Sequence, residues 1–209
     1  MTSIKVLKKR FEEVTNAVSR LVDDRYFFLE YKKYLEEHPN IDKNNEFLYF
    51  IGLNYVETTC LGIFRQVDRN PKSQSLLNIL KTIQKEHESF TLGFFCRKYR
   101  RSNAGLGNGI KDFSQFALKD GKKISPKKVK SDILALIKIT KPIVKYRHKF
   151  VAHRNIRKVT INVKMNDLYT VIDFLEKMVS KYQLLINQAG MPSLRAGNSH
   201  PNLQAVFKE

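Results

Sequence analysis

The chain has 209 residues, enough for one domain with a substantial core and short for two. A hydrophobic share of 42% with 14 Phe and 9 Tyr argues against whole-chain disorder, and only 6 Pro and 9 Gly favour long helices over a strand-and-turn protein. The net charge of +18 points to polyanionic partners, nucleic acid or nucleotides first.

That charge is concentrated. Between Arg97 and Thr160 stand 19 Lys and Arg against three acids, Asp112, Asp120 and Asp132, while the rest of the chain is close to neutral. An acidic membrane surface is a weaker partner, and a merely solvated basic face is the plain alternative. Cys60 and Cys96 sit in apolar surroundings without metal-ligand spacing, and read as reduced core thiols of a cytoplasmic protein, with a disulfide as the lesser alternative. The N-terminal segment is amphipathic and charged, without the apolar centre of a signal peptide. No apolar run approaches the ~20 residues of a membrane span.

In chain order, Phe11, Val14, Val18, Leu21 and Val22 predict a helix from near Ser3 to near Glu37, with a bend at Asp23-Asp24 and a stop at His38-Pro39-Asn40. Asn44 or Asn45 caps a second helix. Its expected buried face is Phe47, Phe50, Leu53, Val56, Cys60 and Phe64, widened by Tyr49, Ile51 and Leu61, which would place it centrally. At its end, Asp68 is expected to pair with Arg65 or Arg69. Ser73 or Ser75 opens a third helix, Leu76 to Ile83. Ser89 to Lys123 reads as an insertion or extra helices. Within it Ser102 to Gly109 is expected to be a loop, and its glycines match neither a dinucleotide nor a P-loop pattern.

Ser125-Pro126 is an N-cap and N1 pair, opening a helix with Val129, Ile133, Leu134, Leu136 and Ile137. Pro142 is expected to kink or break it near Lys138. Val159 to Val163 alternates and is β-branched, hence extended. Asn166 is expected to cap a last helix with Leu168, Val171, Ile172, Leu175, Val179, Tyr182 and Leu185 inward, and Gly190 to end it. Residues 1–189 thus form a single domain, followed by a polar tail, 190–209, expected to be mobile, in which Val206-Phe207 could dock.

One stretch combines proton-transfer groups with phosphate-holding groups: Lys145-Tyr146-Arg147-His148-Lys149-Phe150-Val151-Ala152-His153-Arg154-Asn155. Arginine offers a planar fork to phosphate oxygens, and histidine takes and gives protons near neutrality. Together they could cleave RNA without a metal: a base removes the 2′-hydroxyl proton, that oxygen attacks the phosphate, and cations stabilise the added charge. Geometry resists a one-helix site. Arg147 and His153 are six residues apart, about 240° around an ideal helix, whereas Lys149 and His153 share a face. The bland alternative makes His153 a helix C-terminal cap.

Arg147-His148-Lys149-Phe150-Val151-Ala152-His153 resembles the Arg-polar-x(3–5)-His motif of HEPN domains. The fuller run through Arg154-Asn155, with Phe64-Arg65-Gln66-Val67-Asp68-Arg69 and Ser75-Leu76-Leu77, is similar to the AbiU-like abortive-infection branch, and the likeness spans most of residues 10–185. His148 departs from the usual Asn or Asp at the polar position. The resemblance implies an all-α, up-and-down bundle of four to five main helices with short extra ones. It also implies a homodimer whose two motif helices face a shared cleft, and a metal-independent endoribonuclease of toxin or antiphage type that needs no cofactor. A cognate antitoxin is a further partner it suggests.

On that reading Arg147 and His153 are the catalytic pair, with His148 assisting. Lys145, Lys149, Arg154, Asn155 and Arg157 hold the substrate. Two alternatives stand beside it: a non-catalytic HEPN module binding nucleic acid or nucleotide, and a structural helical protein with a basic face for a protein partner.

Overall fold

Apolar residues at three- and four-residue steps wind the chain's start into one long helix, α1 (Ile4–Glu37), which continues through Asp23-Asp24. The structure is a computed structural model describing residues 4–42, 45–101, 105–151, 163–188, 190 and 193–195. The other main helices are α2 (Glu46–Gln66), α3 (Leu76–Lys85), α6 (Pro126–Tyr146) and α7 (Met165–Asn187), with short α4 (Leu92–Phe95) and α5 (Gly105–Ser114) between α3 and α6. The fold is all-α, and no strand occurs among the described residues; two isolated bridges, Thr91 to Lys123 and Ala117 to Ile124, tie the short helices to the turn before α6. α1 packs along α7 and α2, α6 packs against α2, α3 and α7, and a single apolar core runs through them.

The caps explain several boundaries. Asn45 begins α2, its side chain accepting the Phe47 N–H at 2.8 Å. Ser75 begins α3, accepting the Asn78 N–H at 3.2 Å while its own hydroxyl donates to the Asp68 carbonyl at 2.8 Å. Ser125 and Pro126 open α6 as expected. Asp68 does not form the expected ion pair with Arg65 or Arg69 among the described residues. Its carboxylate accepts the Asn70 N–H at 3.0 Å, turning the chain toward α3.

Three further expectations are corrected. α6 runs unbroken through Pro142, which sits on the exposed side, where solvent can replace the lost partner of the Lys138 carbonyl. Gly105 to Gly109 lie in α5 rather than in a loop. A Cβ on Gly109 would meet Tyr99 Cγ at 2.8 Å, so this glycine serves close helix packing. α7 begins after Lys164, whose N–H donates to Asp167 Oδ2 at 2.8 Å, rather than after Asn166. It ends in left-handed Gln188 (φ 55°), whose side chain donates to the Phe94 carbonyl at 2.9 Å, before Gly190 is reached.

The largest correction concerns α2. Its packed side is Leu48, Tyr55, Thr59, Cys60, Ile63 and Gln66. Gly62 fixes the closeness of α1, since a Cβ there would lie 2.6 Å from Leu21 Cδ2. Phe47, Tyr49, Phe50 and Leu53, expected inside or beside the core, are 54%, 73%, 58% and 40% exposed. By length and composition α2 could cross a membrane, with a mean hydropathy of 1.3 over its most apolar window. Yet Glu57 stands in its middle, and one side is built into the bundle.

The region from Ser89 to Lys123 adds a cluster of aromatic rings to that same core. Phe95 stacks on Tyr99 at 5.5 Å and meets Phe113 at 5.2 Å, and Phe116 reaches Tyr182 of α7 at 5.8 Å. Asp132 of α6 accepts from Tyr182 Oη at 2.7 Å and from Lys181 Nζ at 2.6 Å, so one carboxylate closes the α6–α7 contact. Part of the tail expected to be mobile is instead packed: Leu194 is buried, its carbonyl accepts from Ser19, its N–H donates to Glu176 at 3.3 Å, and Arg195 lies over Tyr26. Val206-Phe207 and the extended run at Val159–Val163, apart from Val163, lie outside the described residues.

Cys60 and Cys96 are free and buried. Burial pushes the Cys60 thiol up to about 12 from an ordinary 9.0, and pushes Cys96 up as well. A raised thiol favours the folded state fully below the ordinary value, and that contribution is lost as pH climbs from 9.0 toward about 12. At pH 8 the native protein is therefore expected to give no reaction with a chromogenic disulfide reagent, and two thiols after denaturation in guanidinium. Stoichiometric labelling of the native chain within minutes would contradict this packing.

Candidate active site

α6 delivers the motif to the surface. After Tyr146 the helix widens into one π turn, Arg147–Val151, with the Arg147 N–H shared between the Ile143 and Val144 carbonyls. Single π turns inside helices concentrate at functional positions. Here the turn places two successive side chains against one ring. The Arg147 guanidinium lies over Phe64 of α2, 4.3 Å from the ring centroid, and the His148 ring meets the same Phe64 edge-on at 5.3 Å and 84°. Arg147 Nη1 approaches His148 Nδ1 at 3.4 Å.

A guanidinium only donates, so Nδ1 is the ring nitrogen that can accept in this contact. Arg147 is half-buried, and its Nε–H is buried without a partner among the described residues. His148 is exposed. The pair therefore offers a stacked, oriented cation from below and an exposed imidazole beside it. Stacking on an aromatic face holds the guanidinium plane and leaves its outer N–H groups for a phosphate.

Lys145 is exposed on the last turn of α6, and Lys149 is half-buried in the π turn. Tyr146 lies along α2, where burial, with Cys60, Glu57 and Tyr49 nearby, raises its hydroxyl above the usual range. Arg65 in the last turn of α2 and Arg69 just beyond it are exposed, and among the described residues neither is in an ion pair. His153, Arg154, Asn155 and Arg157 lie outside the described residues. The structure thus brings together Arg147 and His148, with Lys145 and Lys149 on the turns around them. Among the described residues no group of three His, Cys, Asp or Glu is placed to hold a metal ion.

Phe64 is the residue that sequence reasoning assigned wrongly, as plain core. The signal available was its position at the head of the Phe64-Arg65-Gln66-Val67-Asp68-Arg69 segment.

Among the described residues, five main helices with a basic helix end set against an aromatic ring of its neighbour make this an all-α helical-bundle domain. The HEPN family described as AbiU2 matches residues 4–204, nearly the whole chain, and the chain belongs to that family. No curated protein matches the chain. No solved structure matches it either.

Proposed function

We propose that this HEPN protein is a metal-independent endoribonuclease of the abortive-infection or toxin type, cytoplasmic and active as a homodimer. The observation that carries the reading is the Arg147 guanidinium laid on Phe64 with Nη1 directed at His148 Nδ1. In the reaction a histidine base, His153 on the motif reading, removes the proton of a 2′-hydroxyl. The freed oxygen bonds to the adjacent phosphorus, the bond from phosphorus to the 5′-oxygen breaks, and that oxygen leaves with a proton. The products are a 2′,3′-cyclic phosphate and a 5′-hydroxyl. Arg147 stabilises the added negative charge, His148 is the second proton-transfer group, and Lys145, Lys149, Arg154, Asn155 and Arg157 hold flanking phosphates.

The homodimer is supported by α2. Its exposed Phe47, Phe50 and Leu53 continue through Glu57 and half-buried Leu61 to Phe64 at three- and four-residue steps, so an unpartnered apolar face ends at the Arg147 platform. A second copy seated there answers the 240° separation of Arg147 and His153, because one subunit need not close the site alone.

The test is cleavage of a fluorescent single-stranded RNA in EDTA by wild type, Arg147→Ala and His153→Ala. We expect cleavage by wild type and a loss of about 100-fold or more in each variant. Equal cleavage by all three would remove the catalytic assignment. RNA binding without cleavage in any form would establish the non-catalytic binding module instead, a reading favoured by the exposed lysines of α6.

A further inference from the structure

Positions 127, 130, 134, 138, 141 and 145 follow one another along α6 by three or four residues, and all six side chains are exposed. On a helix such steps trace one straight face, about 27 Å long at 1.5 Å per residue. Lysine occupies every position except 134, where Leu134 stands. The row of Lys127, Lys130, Lys138, Lys141 and Lys145 runs on to Lys149 and the exposed His148.

None of the five lysines is in an ion pair among the described residues. Asp132, the one acid of α6, is turned away, bound to Lys181 and Tyr182. The row is therefore an unneutralised line of charge that ends where Arg147 and His148 meet.

We propose that this lysine row is a track for one RNA strand, holding successive phosphates and leading the strand into the Arg147–His148 site. The nature of the ligand rests on the ribonuclease reading, whereas the track itself needs no chemistry to exist. A row one side chain wide fits one sugar-phosphate backbone, where a duplex presents two. An anionic membrane surface fits less well, because an interfacial helix needs an apolar face beside its cations and this row has only Leu134.

The track is tested by binding, apart from cleavage. A 2′-O-methyl oligonucleotide of about 20 nucleotides lacks the attacking hydroxyl and serves as an uncut probe for fluorescence anisotropy across a salt series. Lys127→Gln/Lys130→Gln/Lys138→Gln removes three row cations far from the Arg147 pair. Lys32→Gln/Lys81→Gln/Lys85→Gln removes the same charge from exposed positions elsewhere.

Each phosphate held on a single strand adds about −0.7 to the slope of log K against log salt, so the row variant should be shallower by about 2. It should also bind at least about tenfold more weakly at low salt, while the control variant changes little. Cleavage of a dinucleoside monophosphate, too short to reach the row, should be equal in wild type and row variant.

An unchanged slope in the row variant, or an equal change in both variants, overturns the track. So does row-dependent binding to phosphatidylserine vesicles without row-dependent binding of the oligonucleotide. A row-dependent slope in a protein that cuts nothing leaves the track standing and ends the ribonuclease reading.

Discussion

Arg147→Lys is expected to lower RNA cleavage by about 100-fold or more, although it keeps the positive charge, because one positioned oxyanion donor is commonly worth 10²–10³ in rate. The native guanidinium carbon lies over the Phe64 ring, 4.3 Å from its centroid, and Nη1 still reaches His148 Nδ1. An ammonium has no plane to stack and cannot spread its donors between an imidazole and a phosphate. RNA affinity should fall less than about threefold, since the variant retains the whole +18 charge that governs phosphate binding.

Single-turnover cleavage and anisotropy on the same oligonucleotide separate the two effects. Phe64→Leu is expected to resemble Arg147→Lys, with a milder loss of about tenfold, because it removes the platform and leaves the arginine. A lysine variant that cuts within threefold of wild type would show that Arg147 contributes charge alone. Unchanged thermal melting of both variants is the necessary control, and the half-buried position of Arg147 makes it the expected one.

How far the sequence reached depended on how local each signal was. Ser75, Ser125-Pro126 and the inward face of α7 were legible because caps and 3.6-residue periods act within a few residues. The stretch around Arg147 was singled out by its resemblance to the HEPN Arg-polar-x(3–5)-His motif, whereas helix spacing by itself separated Arg147 from His153. The buried face of α2 was not. A helix apolar nearly all round gives periodicity nothing to discriminate, and Phe47, Phe50 and Leu53 looked as suitable for a core as Ile63. Gly62 was the usable clue, because a small residue marks the side where a neighbouring helix comes close.

Pro142 and the Gly105 to Gly109 run misled for a related reason. Their usual effects hold when the backbone stands alone, and here exposure at one and tight packing of Gly109 against Tyr99 at the other reversed the outcome. The Phe64–Arg147 stack joins residues 83 positions apart, and no spacing rule spans that distance.

Phe47→Glu/Phe50→Glu is expected to convert a dimer into a folded monomer and to abolish cleavage under the conditions where wild type is active. Both side chains are more than half exposed in the single chain, so their replacement costs the fold little. In a two-fold symmetric pair the same patch is used twice, and four rings leave the seam. At the low end of about 1.5 kcal/mol per buried Phe, their loss is worth about 6 kcal/mol, or roughly four powers of ten in the dissociation constant.

The introduced carboxylates add a desolvation cost on top, as charges buried without partners. Electrostatics also select this face for self-association. Two copies repel where their basic 97–160 stretches face each other, whereas α2 carries only Glu46, Glu57 and Arg65. Light scattering after gel filtration, with circular dichroism to confirm the helices, reads the result directly. A wild type that runs as a monomer at micromolar concentration, or a double variant that remains a dimer, would move the seam away from α2. A monomeric variant that still cuts RNA would place the whole site within one chain, and would require residues on both sides of the π turn to converge without a second copy.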